Sequence, residues 1–536
     1  MGFRTKLRRF GRPAAAALLL ALAGCSNGDG GSSGVLSRSL GPEPESLDVH
    51  TSRSTQAAIV LRDLGEGLTG YSANGELVAA AATRWEVSED GLEYRFWLRP
   101  DARWSNGEPV LAEHFVYSLR RLVDPETAAF SAQTVIDIKN AAEIVKGDRS
   151  VNDLGVEAIG KTELLIRLER PVPYFLTLLA QISMFPVYPP SVAQHAEEHA
   201  RPGNLVSNGA YKLDGWELGS VITLSRNEHY WNNAAVSIDA VRHLVTPEPM
   251  AEANRYRAGE LDITETVPSE MFETLQKERP DELKVSPQLN VYYYGLNLTK
   301  PPFKDNPKLR QALSMAIDRE VITEKITGRG ERPAYGWVPP GVDRYTSMQF
   351  NYAQQTADER HATARRLYKE AGYGKSNPLQ IEIRYNTSET HERVATAVKE
   401  MWREVLGFEA TLKNEEFQVL LANMLAQDVT QVFRSAWSGE YNDANAFLSV
   451  LVSDNPSNLP GYRSAEYDSL MARAASQMDS THRQLFLEEA ELKMLADHPI
   501  IPLYFYISKH LVNPRVAGWQ DNVLDYHYSQ HLRLKP

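Results

Sequence analysis

The sequence predicts a mixed α/β protein, because alternating strand patterns and amphipathic helical patterns succeed one another along the chain. Period-two alternation, bounded by Gly, Pro, Asn or Asp, occurs at 93–100, 162–171 and 221–230. Helical periodicity occurs at 112–122, 307–326, 358–371 and 391–405. Two stretches rich in Gly, Pro and Asn, 322–341 and 453–462, are predicted to be surface loops.

The N-terminal segment indicates export from the cytoplasm. Its basic residues are Arg4, Lys6, Arg8, Arg9 and Arg12. They precede the apolar run 14–23, which has the length of a signal peptide and is too short to span a bilayer. The string 22–25, LAGC, resembles the lipobox of bacterial lipoproteins, so we expect removal of residues 1–24 and acylation of Cys25. Residues 25–34 are a Gly/Ser-rich flexible tether. The alternative is a secreted protein with an ordinary cleavage site.

Composition narrows the classes of function. Without residues 1–24, the chain has 512 residues with 52 basic and 69 acidic side chains, a formal charge of −17. This charge opposes binding to nucleic acid. Cys25 is the single cysteine, so no disulfide forms within the chain. No apolar stretch of membrane-spanning length follows the signal.

Two motifs match catalytic patterns but lack the required context. Residues 155–162, GVEAIGKT, match a phosphate-binding loop, yet a predicted strand follows where that loop needs a helix. His195, Glu198 and His199 match the H-x-x-E-H pattern of zinc peptidases. Their surroundings are polar on nearly every side, which is typical of a solvated helix and not of a water-excluding cleft. A secreted zinc peptidase is therefore the least favoured of three hypotheses.

A long segment carries a resemblance to a known family. Residues 79–118 read AAAATRWEVSEDGLEYRFWLRPDARWSNGEPVLAEHFVYS. This segment resembles the signature region of the extracytoplasmic peptide-binding proteins of ABC importers, family 5 of the peptide and nickel solute-binding proteins. The likeness continues through 172–175, 207–216, 230–233, 292–297, 300–303, 333–340 and 386–393. It is strongest to the oligopeptide-binding members.

The resemblance implies a two-lobed clamp of the periplasmic-binding-protein type, type II, cluster C, with an extra domain. Matching segments place lobe I at 35–64, 189–288 and 507–536, the extra domain at 65–188, and lobe II at 289–506. Such a clamp encloses its ligand by hinge motion. An extended peptide satisfies its backbone groups by strand-like pairing, whatever its side chains.

The resemblance also implies the residues of the cleft. Glu440 matches the position of an aspartate that pairs with the α-ammonium of the peptide. Arg434 and His391 match positions that meet a ligand carboxylate, which suits a guanidinium and an imidazole. Trp437 and Tyr293 are expected to form walls of the cleft. Both Arg434 and His391 could equally be structural, Arg434 as the ion-pair partner of a neighbouring acid.

Four positions depart from the family pattern. Thr327 stands where oligopeptide binders can carry a lysine, and Arg53 replaces an acidic residue. Asn290 and Ser438 occupy the positions of a disulfide that these binders can carry. Residues 414–433 also contain no arginine or lysine, although the family pattern has another cleft arginine there. The nearest basic residues are Lys413 and Arg434, one on each side of this stretch. The length and charge of the ligand therefore stay open.

Together these observations predict a lipid-anchored solute-binding protein outside the cytoplasm, in the periplasm. It is expected to capture short peptides, to deliver them to the permease of an ABC importer, and to act as a monomer. We expect no catalysis, no cofactor, no metal and no nucleic-acid partner. The second hypothesis keeps the clamp and changes the ligand to a modified cell-wall fragment, an opine or a sugar.

Overall fold

The computed structural model describes residues 34–427 and 431–535. Its strands are β1 Val35–Gly41, β2 Thr69–Tyr71, β3 Leu77–Ala79, β4 Ala82–Val87, β5 Glu93–Leu98, β6 Val156–Ala158, β7 Glu163–Arg167, β8 Tyr211–Glu217, β9 Val221–Arg226, β10 Ala240–Val245, β11 Leu283–Leu296, β12 Arg332–Pro333, β13 Glu382–Asn386, β14 Thr411–Glu415, β15 Val432–Ser438, β16 Ile500–Leu511, β17 Val516–Ala517 and β18 Arg533–Leu534. Its helices are α1 Thr55–Leu64, α2 Ala112–Val123, α3 Ala141–Val145, α4 Phe175–Leu178, α5 Pro189–His195, α6 Pro249–Arg257, α7 Phe272–Glu278, α8 Pro307–Met315, α9 Arg319–Val321, α10 Ala357–Glu370, α11 Glu389–Leu406, α12 Phe417–Ala426, α13 Asn445–Leu448, α14 Ala465–Ser476 and α15 Ser480–Asp497.

Three sheets organise these elements. The first sheet has the order β1-β10-β9-β8, the second β4-β5-β7-β6, and the third β12-β16-β11-β15-β13-β14. Each sheet carries its own hydrophobic core. We give each core, and the unit that it forms with its sheet, the number of that sheet. The first core draws on segments 36–64, 185–241 and 512–532 and on Ile263, the second on 68–184, and the third on 289–523. The chain thus builds three packed units, and the first is assembled from distant parts of the sequence.

Two long strands connect the first unit to the third. Strands β11 and β16 pair in antiparallel fashion over 283–287 with 507–511, and again over 291–295 with 500–505. The register shifts between Pro287 and Val291. A register shift interrupts the ladder and lets a strand bend. The N-terminal half of β11 packs with Leu244 and Leu261, while its C-terminal half lies in the third core.

Most of the predicted elements are confirmed. The three predicted strands correspond to β5, β7 and β9, and the helices predicted at 112–122, 358–371 and 391–405 correspond to α2, α10 and α11. Helix α10 begins with a capping box, in which Thr356 accepts from the backbone of Glu359 and Glu359 accepts from the backbone of Thr356. Cys25 and the tether up to residue 33 lie outside the described residues.

The helix predicted over 307–326 is wrong as a single element. Helix α8 ends at Met315, and the chain resumes as α9 followed by a π-helical turn over Ile322–Thr327. The break allows Arg319 to enter the third core with no solvent exposure. There its guanidinium donates hydrogen bonds to backbone carbonyls, including that of Pro502 at 2.9 Å. Periodicity alone did not reveal this buried cation.

The surface loop predicted over 322–341 is also partly wrong. Ala334, Trp337 and Val338 are fully buried. A buried loop needs partners for its backbone N–H groups. The carboxylate of Glu491 supplies them, because its Oε1 accepts from the backbone N–H groups of Trp337 and Val338 at 2.8 Å each.

None of the helices in the described part of the chain combines the length and apolar character needed to cross a membrane.

A buried charge cluster joins the first unit to the second. Both Nη atoms of Arg121, on α2, donate to the carboxylate of Asp48, at 2.9 and 2.6 Å. Nη1 also lies 2.6 Å from Nδ1 of the buried His50. Burial would raise the pKa of Asp48, but the hydrogen bonds and charge of Arg121 outweigh it and lower that pKa to about 2. Burial, and then Arg121, lowers the pKa of His50 to about 3.

This cluster should make the protein less stable in mild acid. Unfolded His50 binds a proton below about pH 6.5 and the folded state does not, so stability falls as pH drops from there toward 3. At pH 4.5 the loss amounts to about 2–3 kcal/mol. Asp48 adds its own loss only as the pH falls from 3.8 toward 2. Urea denaturation at pH 7.5 and 4.5 measures the difference.

The variant His50→Asn keeps an acceptor for Arg121 and removes the titrating ring, so it should lose less stability between the two pH values than the wild type. The exposed His482 provides the matched control, and His482→Asn should behave as the wild type. An equal acid-induced loss in His50→Asn and the wild type would contradict this assignment.

Candidate functional site

The site is built around strand β15, at an edge left open in the third sheet. On one side, β15 pairs with β11 from Val432 to Ser438. On the other side, β13 pairs with β15 only at Val432 and Phe433. Within the described residues, no strand pairs with this second edge from Arg434 to Ser438. Such an edge presents backbone donors and acceptors to an incoming extended chain.

Arg434 lies on an aromatic surface without an acidic partner. Its Nη1 donates to Oδ1 of Asn386 at 3.2 Å, and its Nη2 donates to the hydroxyl of Tyr506 at 3.1 Å. The guanidinium carbon lies 4.7 Å from the ring centroid of Tyr292. Its buried Nε has no hydrogen-bond partner, and no carboxylate within the described residues forms an ion pair with it. The structural ion pair considered as an alternative for Arg434 is therefore not found there.

His391, at the start of α11, lies beside the same aromatic surface. Its ring centroid is 5.6 Å from that of Tyr292, and its Nδ1 is 3.4 Å from the Tyr292 hydroxyl. Burial, and then the positive charge of Arg434, lowers the pKa of His391 to about 4. The imidazole is therefore neutral at pH 7. Arg434 supplies the positive charge of the corner formed by Arg434, His391 and Tyr292.

The structure places Trp437 and Tyr293 on the other face of the sheet. Side chains alternate along a strand, so Ser435 and Trp437 point away from the face that carries Arg434. Tyr293 pairs with Ser435 in the register of β11 and β15, and it is 2% exposed. Its ring packs edge-on against Trp337 at 5.0 Å. Tyr293 thus supports the sheet from within the core, whereas the partly buried Trp437 donates through Nε1 to the carbonyl of Ala446 at 2.7 Å.

Glu440 follows β15 at the junction with the second unit. Its side chain is exposed, and its carboxylate has no hydrogen bond or ion pair within the described parts of the chain. Its backbone carbonyl accepts from Nε2 of Gln181 at 3.0 Å. The next residue, Tyr441, stacks on Tyr174 with centroids 4.7 Å apart. At Gly439 a Cβ would lie 2.6 Å from the ring of Phe447, so a larger residue there would require this ring to move.

The four departures from the family pattern occupy distinct places. Asn290 and Ser438 are direct partners in the register of β11 and β15, so polar side chains stand where a disulfide is possible. Thr327 is buried, and its hydroxyl donates to Oε2 of Glu331 at 2.9 Å. The guanidinium carbon of Arg53 lies 5.4 Å from the ring centroid of Phe130, on the surface.

The two catalytic-looking motifs do not form sites. Residues 155–162 span β6 and the turn into β7, so no helix N-terminus is available for a phosphate. Helix α5 ends at His195, and Ala196 has a φ of 48°. His199 then turns inward, where its Nδ1 lies 2.7 Å from the carbonyl oxygen of Ala196. Among the described residues, the group suited to a metal ion lies elsewhere in the chain.

Sequence reasoning missed three partners of Arg434. These are Asn386, Tyr292 and Tyr506. The consecutive tyrosines 292–294 were a signal, but the face on which each would lie depends on a register that the sequence does not state. Tyr506 lies on β16, more than 200 residues after the tyrosines 292–294.

The comparisons with known proteins establish the family. A model of the bacterial extracellular solute-binding proteins, family 5, matches residues 76–458. The chain is 37% identical over 503 residues to the periplasmic oligopeptide-binding protein OppA of Escherichia coli (strain K12), covering 93% of this chain and 92% of that protein. This chain belongs to family 5 of the bacterial extracellular solute-binding proteins, and it has their two-lobed α/β clamp.

Two solved structures describe the state of the clamp. The unliganded open form of the periplasmic murein tripeptide-binding protein MppA aligns with a TM-score of 0.89 at 35% identity, over 94% of this chain and 98% of that chain. Haemophilus influenzae OppA in complex with the peptide RPPGFSPFR aligns with a TM-score of 0.71 at 34% identity, over 94% and 99%. Since the identities are nearly equal, we attribute the difference to the arrangement of the lobes. The present structure is therefore more similar to the open form of MppA than to the peptide complex of OppA.

The electrostatics of the corner make one prediction about His391. Its NMR signals should not titrate above about pH 5.5 in the ligand-free protein, because its pKa lies near 4. Arg434→Gln removes a positive charge that opposes protonation, so this variant should show a higher pKa for His391. Arg393→Gln, an exposed arginine on the same helix, is the matched control and should leave the titration unchanged. Titration of wild-type His391 near pH 6.5 would contradict the burial of this ring beside Arg434.

Proposed function

We propose that this chain captures short peptides outside the cytoplasm and delivers them to the permease of an ABC importer. The observation that carries the proposal is the open edge of β15, which has Arg434 at one end and Glu440 beyond the other. This edge offers pairing to a peptide backbone, while the two charges match the two ends of a zwitterionic chain. Membership of a solute-binding family and the complex of Haemophilus influenzae OppA with a peptide support the same function.

Arg434 is the proposed partner of a ligand carboxylate. A partly buried cation without a counter-ion costs folding free energy, and an entering carboxylate removes that cost. The guanidinium is held by Asn386 and Tyr506, so a carboxylate would meet an oriented fork of donors. The neutral His391 lies at the same face and adds a hydrogen-bonding group without charge.

Glu440 is the proposed partner of the α-ammonium. Its carboxylate is exposed in the open clamp and is therefore available to a ligand. Glu440 lies six positions after Arg434, which corresponds to about 20 Å along an extended strand. Since both side chains reach toward the ligand, this span suits peptides of about three to five residues.

Closure of the clamp would complete the site. We propose lobe I at 35–64, 189–288 and 507–536, the extra domain at 65–188, and lobe II at 289–506. The separate cores of the three units support these boundaries, and the register shift of β11 between Pro287 and Val291 lies at the crossing between lobes. A bend at the two paired strands would bring lobe I over the open edge of β15.

Attachment to the membrane is a further part of the proposal. The lipobox-like sequence ending at Cys25 supports acylation of this cysteine, with the residues that follow acting as a tether. A monomer held in this way would meet its permease at the membrane surface. Mass spectrometry of the mature N-terminus, before and after deacylation, tests this part independently of ligand binding.

The ammonium partner makes a prediction that separates peptides from other ligands. Isothermal titration should show that N-acetylation of a bound tri- to pentapeptide weakens wild-type affinity by about 10–100-fold, because a charged hydrogen bond is lost. Glu440→Gln should bind the free peptide and its acetylated form about equally. Glu404→Gln, an exposed carboxylate on α11, is the control and should retain the wild-type difference.

An acetylated peptide that binds wild type as tightly as the free peptide would contradict the role of Glu440. It would then favour the alternative in which the same clamp takes a ligand without an amine, such as an opine or a sugar.

The carboxylate partner gives a complementary prediction. Amidation of the peptide C-terminus should weaken binding to wild type by about 10–100-fold and should have little effect on Arg434→Gln. The control Arg393→Gln should respond to amidation as wild type does. If Arg434→Gln still discriminated the acid from the amide, the ligand carboxylate would lie elsewhere.

A further inference from the structure

Three potential metal ligands converge beside the paired strands β11 and β16. Nε2 of His510, on β16, lies 2.8 Å from Oδ1 of Asp525. Nε2 of His527 lies 3.2 Å from the same oxygen. The three ligand atoms lie within 4.8 Å of one another. Two imidazole nitrogens and one carboxylate oxygen therefore surround a single point.

The backbone fixes the orientation of His510. Its Nδ1 lies 2.9 Å from the carbonyl oxygen of Thr264. A carbonyl oxygen can only accept, so Nδ1 carries a hydrogen. In the neutral ring, Nε2 then holds its lone pair toward Asp525. A hydrogen bond from the remote ring nitrogen to a backbone carbonyl is the arrangement that orients histidine ligands in metal sites.

His527 is held by a different contact. Its ring stacks on Trp519, with centroids 3.6 Å apart and planes inclined by 19°. Its backbone carbonyl accepts from Nη1 of Arg38 at 2.7 Å. Both the ring and the backbone of this ligand are thus placed before any ion arrives. Preorganisation of this kind lowers the cost of binding.

We propose that His510, Asp525 and His527 form a binding site for a divalent transition-metal ion of the zinc class. Tetrahedral Zn²⁺ takes nitrogen and carboxylate ligands at about 2.0–2.2 Å, which places neighbouring ligand atoms about 3.3 Å apart. The observed separations of 2.8 and 3.2 Å are close to this value. Imidazole ligands favour Zn²⁺, Cu²⁺ or Ni²⁺ over Mg²⁺ and Ca²⁺.

The neighbouring cavity has room to complete the coordination shell. Its volume is about 170 Å³, and its lining includes all three ligands and the carboxylate of Glu265. A water molecule or Glu265 could take the fourth position. Arg38 and Arg62 also line the cavity and offset the negative charge of Asp525 and Glu265. Affinity would therefore depend on coordination bonds more than on net charge.

A proton is the competitor of the metal at this point. Histidine binds a metal ion through an unprotonated nitrogen, so Nε2 of His510 must be free of a proton when the ion is bound. Binding of a divalent ion would replace a proton on this nitrogen and release it to solvent, as for other histidine ligands.

The position of the site connects it to the hinge. Nε2 of Gln288, within the register shift of β11, lies 3.4 Å from Oδ2 of Asp525. The backbone N–H of Leu289 donates to the carbonyl of Val523 at 3.2 Å. A metal would thus tie the C-terminal segment to β16 beside the bend of β11, and this inference does not depend on the identity of the transported ligand.

Calorimetric titration of ZnCl₂ into chelator-treated protein tests the site. The background substitution Cys25→Ser removes the single thiol. We expect one Zn²⁺ per chain, with affinity at least about 100-fold weaker in His527→Gln and in Asp525→Asn. His482→Gln, an exposed histidine 3.1 Å from Asp479, is the control and should bind as the parent does.

Cobalt gives a second measurement that needs no variant. Co²⁺ bound to the parent protein should show the intense visible absorption of a tetrahedral site, and Zn²⁺ should abolish it. Absence of Zn²⁺ and Co²⁺ binding by the parent at sub-millimolar concentration would overturn the proposal. Binding that persists undiminished in both His527→Gln and Asp525→Asn, with circular dichroism showing that the variants fold, would also overturn it.

Discussion

The structure depends on the pairing of β11 with β16, since these strands carry the chain between the first and third units. They pair in antiparallel fashion both before and after a shift in register between Pro287 and Val291. Paired strands resist separation, while a register shift permits bending. The lobes can therefore rotate without losing their connection. The second edge of β15 is open because β13 pairs with it only at Val432 and Phe433.

The corner formed by Arg434, His391 and Tyr292 carries a positive charge without a counter-ion among the described residues. Arg434 is held among Tyr292, Tyr506 and Asn386 with no carboxylate partner. An acidic neighbour would stabilise the empty protein and would also compete with the ligand. The low pKa of His391 is part of the same arrangement, because the unpaired guanidinium opposes a second positive charge. If Arg434 has the proposed role, the corner lowers the stability of the empty clamp and attracts the carboxylate of a ligand.

The sequence predicted those elements that local physics determines. Helix α10 was predictable because Thr356 and Glu359 form a capping box before an amphipathic pattern. The buried half of the loop 322–341 was not, because its burial requires the carboxylate of Glu491, some 150 residues away.

The same limit applies to the site. Glu440, Arg434 and His391 were found through a resemblance, whereas the separation of Tyr293 from Arg434 onto opposite faces required the strand register. His510, Asp525 and His527 have no motif spacing, and they meet only when β16 and the C-terminal segment are packed together.

Distance measurements between the lobes test the central claim of a peptide-driven clamp most directly. In a Cys25→Ser background, spin labels at Leu218→Cys and Glu404→Cys would report the first and third units, since both side chains are exposed. A label pair within the third unit, at Leu492→Cys and Glu404→Cys, is the control. Double electron–electron resonance should show that saturating peptide moves the inter-unit distance to a new, narrower distribution and leaves the control pair unchanged. An unchanged inter-unit distribution, with peptide binding demonstrated in the same sample, would contradict the clamp.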